Sequence, residues 1–147
     1  MPIPDLLARS NAARSRRVVA GRGSSLVESS IVAVVLLLLL VSITEFGRLG
    51  FAYNLVSFAT HRGARYAAVR GSASGHPAAA SDVQTEVQSY INALDLTKLT
   101  VATTWTPNNS PGSTVQVKSS YGFQSILIPM SSSLITVETT CKQTITQ

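Results

Sequence analysis

The chain has 147 residues, 45% of them hydrophobic, and 12 Lys and Arg against seven Asp and Glu give a formal net charge of +5. One domain is expected at this length, and a single cysteine, Cys141, excludes an intrachain disulfide framework. The basic excess belongs to residues 1–23, where Arg9, Arg14, Arg16, Arg17 and Arg22 stand against Asp5 alone; the remainder is close to neutral, so the charge bears on membrane topology and not on nucleic acid.

Residues 1–23 open with Pro2 and Pro4, scatter their arginines and show no sustained apolar periodicity. They are expected to be an unstructured cytoplasmic leader. From Ser29 to Thr44 no charge occurs and most residues are Val or Leu. At about 1.5 Å of rise per residue, this run and its small flanking residues cover most of a hydrocarbon core roughly 30 Å thick. Arginines before a single apolar helix place the N-terminus inside and the C-terminal part outside. An ordinary secretory signal would need a small-x-small cleavage site after the run. The chain instead reads Val41-Ser42-Ile43-Thr44-Glu45-Phe46, with its glycine, Gly23, ahead of the apolar residues. An uncleaved signal anchor stays open as the alternative: a single-pass envelope protein whose exported domain is a binding module.

One acid, Glu28, stands at the mouth of the apolar run. An ionised carboxylate near hydrocarbon costs a few kcal/mol unless partnered, so it is either a residue that reaches to the interface or one that faces a cation in an assembly. Gly23-Ser24-Ser25-Leu26-Val27-Glu28 resembles the processing site of type IV prepilins. The longer string Glu28-Ser29-Ser30-Ile31, Glu45-Phe46-Gly47-Arg48-Leu49 and Arg62-Gly63-Ala64-Arg65-Tyr66-Ala67 resembles the TadE-like pseudopilins of tight-adherence (Flp) pilus systems. The resemblance implies cleavage after Gly23 by a prepilin peptidase, with Ser24 as the new N-terminus. It implies that Glu28 serves subunit assembly by pairing with the Ser24 amine of a neighbour. The partners it implies are the peptidase, other pilin-like subunits and membrane lipid, at the bacterial inner membrane. No nucleic acid, small-molecule substrate, cofactor or metal is expected.

The helix is expected to continue to about Val69: 24–44 in the membrane and 45–70 beyond it. Phe46, Leu49, Tyr53 and Val56, with Phe51, Leu55 and Phe58, recur at three and four residues and form a broad apolar stripe. Glu45 and Arg48 can meet on one face. Gly47, Gly50 and Gly63 mark kinks or close approach. Phe46, Phe51 and Tyr53 suit the outer membrane interface. His61, Arg62, Arg65 and Arg70 form a basic cluster on the other side, read as a solvated face or as lipid or neighbour contacts, with Ala64, Ala67 and Ala68 small enough for close packing. Residues 71–147 then form an exported α+β domain. After the loop Gly71–Ala80, Ser81 reads as an N-cap and Asp82–Leu94 as a short amphipathic helix. Leu99–Trp105 and Val115–Phe123 alternate around a Pro- and Asn-rich turn as a hairpin, Ile126–Pro129 reads as an irregular or edge segment, and Ile135–Cys141 alternates as a last strand. The fold expected is α+β, pilin-like: a long helix packed under about three antiparallel strands, with one extra short helix. No nucleophile elbow or paired carboxylates are visible, so no catalytic residue is assigned and the chain is not expected to be an enzyme. Cys141 is read as a small apolar strand residue, with an intermolecular disulfide as the alternative.

Overall fold

A computed structural model describes residues 5–126 and 135–146 of the chain. Two compact units divide it, Met1–Ile43 and Thr44–Gln147, and helix α1 (Asp5–Val69) contributes to both. The expectation of an unstructured leader is corrected: α1 begins at Asp5. After Pro4 the leader is rich in Leu, Ala and Arg, all strong helix formers, with no further proline to interrupt them.

In the first unit, Leu26 to Leu40 lie along α1 with their side chains exposed. Each leucine left in water would forgo about 1.5–3 kcal/mol of burial. Ser29 and Ser30 turn their hydroxyls back onto the carbonyls of Ser25 and Leu26, at 2.8 Å each, so neither leaves an unmet donor on the apolar surface. Ser42 does the same to Leu38 at 2.7 Å. The segment from Gly23 to Val69 is long and apolar enough, by length and composition, to cross a membrane.

The second unit is α+β, as expected. Its sheet is a meander, β1 (Leu99–Thr106), β2 (Thr114–Phe123) and β3 (Ile135–Thr144), paired antiparallel in the order β1-β2-β3. Register sets Leu99, Tyr121 and Val137 side by side, then Thr103, Val117 and Cys141. These alternate positions form the inner face, on which Val115, Val117, Tyr121, Phe123, Val137 and Cys141 are buried. The other face is polar and carries a Lys118–Glu138 ion pair at 3.0 Å.

Helix α2 (Ala80–Ser89) starts two residues before and ends five residues before the expected Asp82–Leu94. The cap is Ala79 and not Ser81: Asp82 Oδ2 accepts the Ala79 amide at 3.0 Å, so an acid placed to favour the helix dipole also closes the first turn. Beyond Ser89 the chain tightens into turns, with the Ile91 amide on Gln88 O and the Leu94 amide on Ile91 O, which still delivers Ile91 to the core. Asp95 then opens a 3-10 turn (Leu96–Lys98); its carboxylate accepts from the Thr97 hydroxyl and amide, and these bonds hold its pKa below the ordinary value.

Small residues make the core face of α1, as expected for Ala64, Ala67 and Ala68. That face is Ala52, Val56, Ala59, Thr60, Gly63, Ala64, Ala67 and Ala68. Of the expected apolar stripe, only Val56 is fully buried and Leu49 and Leu55 are half-buried; Phe46, Phe51, Tyr53 and Phe58 are exposed. At Gly63 the buried face meets α2 directly. A Cβ built on Gly63 would collide with Val87 Cγ2.

The two ends of this unit are tied differently. At one, the Thr146 amide donates to Ala68 O at 3.0 Å, the Ser72 amide to Asn109 O at 2.7 Å and the Gly112 amide to Ile145 O at 2.9 Å. This knits the end of α1 to the loop after β1 and to the end of β3. The other end depends on Glu45. The irregular segment expected at Ile126–Pro129 falls outside the described residues except for Ile126, which is exposed in a bend.

Candidate functional site

Gly23, Ser24 and Glu28 lie on consecutive turns of α1, in its first unit. A Cβ at Gly23 would meet nothing within 4 Å, so the backbone there is open to approach from outside. Glycine is also about 1 kcal/mol weaker than alanine in a helix interior. Gly21 and Gly23 flank Arg22, which makes this the least stable stretch of the helix by intrinsic propensity. Glu28 follows Ser24 by four residues, one turn on, and its side chain is exposed. Around it stand Leu26, Val27 and Ile31, each more than half exposed. The site is therefore an openable backbone joint followed, one turn later, by one carboxylate on an otherwise uncharged apolar stem.

The second unit contains a site that spacing alone could not reveal. Arg48 donates to Glu45 Oε1 at 2.8 Å, as the i,i+3 spacing suggested. The same oxygen accepts the Ile126 amide at 3.3 Å, across 81 positions of sequence. The Arg48 guanidinium lies 5.4 Å from the Phe123 ring centre. Glu45 is mostly buried, its side chain 13% exposed, and thus clasps the chain leaving β2 onto the first turn of α1 in this unit. An open groove of about 890 Å³ lies beside this clasp, with Phe51, Leu94 and Phe123 on its walls and Arg48 and Lys98 among its polar lining. Lys98 donates to Gln124 Oε1 at 2.8 Å there.

Cys141 is buried on the inner face of β3, with its sulfur 3.1 Å from His61 Nδ1, and burial pushes the thiol pKa up. A covered, protonated thiol is a poor partner for an intermolecular disulfide, which favours the apolar-strand reading. In the folded full chain, alkylation of Cys141 by iodoacetamide at pH 8 is expected to be at least tenfold slower than in denaturant, as read by mass spectrometry; equal rates would place the thiol at the surface. Among the described residues no three His, Cys, Asp or Glu side chains are grouped to hold a metal ion.

The described parts define a class: an α+β unit on a helix that is long and apolar enough to cross a membrane. Residues 23–65 match the family model described as TadE-like protein, and this segment is similar to that family. No curated protein and no solved structure matches it.

Proposed function

We propose that this chain is a minor pilin-like subunit of a tight-adherence pilus assembly or secretion system, cut after Gly23 by a prepilin peptidase. The observation that carries this reading is the TadE-like match, which starts at Gly23 and runs through Glu28 and the apolar run to Arg65. It supports association with such a pilus at the coarser level. The joint at Gly23 and the carboxylate one turn on support the finer one.

In this reading the arginine-bearing leader, residues 1–23, holds the N-terminus in the cytoplasm, and residues 24–44 lie in the inner membrane. Residues 45–70 extend the helix beyond it, and residues 71–147 complete the exported domain. The chain is the substrate of an enzyme and not itself a catalyst. Cleavage gives Ser24 an α-ammonium and brings Glu28 close to the positive end of the helix dipole. Laterally packed stems then place that ammonium and a neighbour's Glu28 together. Two charges leaving water are costly, and one left alone is costlier by about 3–5 kcal/mol, so the pair acts chiefly to reject wrong register. A Glu28→Leu chain is accordingly expected to insert and mature normally but to lose most cross-links to neighbouring stems in isolated membranes; undiminished cross-linking would remove Glu28 from assembly.

The second reading, an uncleaved envelope protein with an exported binding module, draws on the groove beside Arg48 and Lys98. The intact mass of the membrane-extracted chain separates the two. A product starting at Ser24 supports the first, and one that keeps residues 1–23 supports the second.

A further inference from the structure

Phe51, Leu55, Phe58, Arg62, Arg65 and Val69 follow one another along α1 at intervals of four, three, four, three and four residues. This is the spacing of a helix-packing seam. It lies on the flank of α1 away from the buried alanines: Phe51 is 55% exposed, Phe58 48% and Val69 46%, and both arginines are exposed. The seam is apolar at one end and cationic at its middle. One of its arginines, Arg62, is set in place by rings. The Arg62 guanidinium sits 5.2 Å from the Phe58 ring centre and 5.8 Å from that of Tyr90 on the turn after α2. Beside the seam, Arg70 stacks on Tyr66 at 4.2 Å and donates to its hydroxyl. Between them opens a cavity of about 240 Å³, with Glu86 as its one acid against three arginines. A guanidinium stacked face-on keeps its N–H edge free for bidentate contact with a carboxylate.

We infer that this seam docks a helix of a different protein subunit, one that brings carboxylates to Arg62 and Arg65. Exposed Phe beside Arg, with the half-buried rings of Tyr66 and Tyr90 at its edge, is the composition of a protein interface core, not of a solvated face. A second copy of this chain fits poorly: laid parallel, a like seam sets arginine against arginine, and laid antiparallel about its centre it sets Arg62 against Phe58 and Arg65 against Leu55, offering neither a carboxylate. Lipid headgroups fit poorly as well. Arg62 stands about 27 Å of helix beyond Thr44, where the uncharged run ends, and a charge is screened over about 8 Å at physiological salt. The inference takes from the proposed function only that the chain has protein neighbours.

The test uses the full chain in neutral phosphatidylcholine nanodiscs, with empty discs as the reference. Two labelled helical peptides carry leucine along a seam of the same spacing and differ only in having Glu or Lys at its two central positions. Fluorescence anisotropy is expected to show the Glu peptide binding at least tenfold more tightly than the Lys peptide, less so as salt rises. Arg62→Ala/Arg65→Ala is expected to erase the difference. Arg65→Ala alone, which leaves the ring-stacked Arg62 in place, is expected to weaken the Glu peptide severalfold with an unchanged circular dichroism spectrum. Equal affinity for the two peptides, or no effect of Arg65→Ala, overturns the inference. So does displacement of the Glu peptide by phosphatidylglycerol vesicles, which would mark a lipid site, or self-association abolished by the double variant, which would mark a second copy. A Gly23→Leu chain should bind the Glu peptide as the parent does, so failure of the cleavage claim and failure of this one are told apart.

Discussion

Replacing Gly63 with leucine is expected to cost the unit from Thr44 to Gln147 about 3 kcal/mol or more, lowering its thermal midpoint by roughly 15 °C. The Cβ of any substituent would collide with Val87 Cγ2 and fall 3.5 Å from Val83 Cγ1. Both valines are fully buried, and a β-branched side chain has little rotamer freedom with which to move aside. Relief would require α2 to back away from α1. Alanine at this position would gain about 1 kcal/mol of helix propensity and still meet the same clash, so a smaller net loss is expected. Gly47 and Gly50 are internal controls. A Cβ at either meets nothing within 4 Å, and alanine there is expected to stabilise by up to about 1 kcal/mol. Thermal melts followed by circular dichroism should rank Gly50→Ala above the parent, Gly63→Ala below it and Gly63→Leu last. A Gly63→Leu chain as stable as the parent would mean that the helices do not meet there.

The contrast between Gly63 and the two open glycines also separates what residue type discloses from what only packing reveals. The strands are legible in the sequence because Leu99, Val101, Thr103 and Trp105, and Val115 to Phe123, alternate cleanly, and pleating turns alternation directly into an inner and an outer face. Strand β3 runs three residues beyond the expected Cys141, where Lys142, Gln143 and Thr144 complete its pairing with Thr114 to Gln116. The buried face of α1 is legible in part: Ala64, Ala67 and Ala68 read as small enough for close packing and Gly63 as a point of close approach, and all four are buried. Hydropathy directs attention to Phe46, Phe51, Tyr53 and Phe58, yet they are exposed, while alanines and Gly63 make the contact. Size and not hydropathy decides a surface on which a second helix lies so close. Phe51, Phe58, Arg62 and Arg65 read in sequence as parts of an apolar stripe and of a basic cluster on another side, although they share one seam. The clasp is half legible: spacing gives Glu45 and Arg48 as a pair, but the Ile126 amide that shares the carboxylate is 81 positions away and has no local signature. At the joint, Gly23, Ser24 and Glu28 stand out by residue type alone, because a glycine before an uncharged run and a single acid at its mouth are conspicuous in any fold. The helix through the leader does not, since two prolines and scattered arginines outweigh the helix-forming residues between them.

A Gly23→Leu chain is expected to accumulate in the membrane at its uncut length, with less than about a tenth of the parent's yield of product beginning at Ser24. A peptidase must draw the bond it cuts out of helical hydrogen bonding, and under the proposed processing Gly23 would assist this in two ways. It offers no side chain to obstruct the approach, and it weakens the helix at the joint by about 1 kcal/mol relative to leucine or alanine. Leucine reverses both. The substitution has no structural excuse, because a Cβ at Gly23 touches nothing within 4 Å; lost cleavage would therefore report on recognition of the bond and not on damage to the fold. Circular dichroism and the thermal midpoint of the Thr44–Gln147 unit should remain those of the parent, unlike the outcome at Gly63. Two measurements suffice: intact mass of the extracted chain and N-terminal sequencing of whatever product forms. If Gly23→Leu still yields a chain starting at Ser24, the joint is cut by something indifferent to glycine. If the parent itself keeps residues 1–23, no Ser24 ammonium exists for Glu28 to meet, and the pairing of stems has to rest on their Val and Leu surfaces alone.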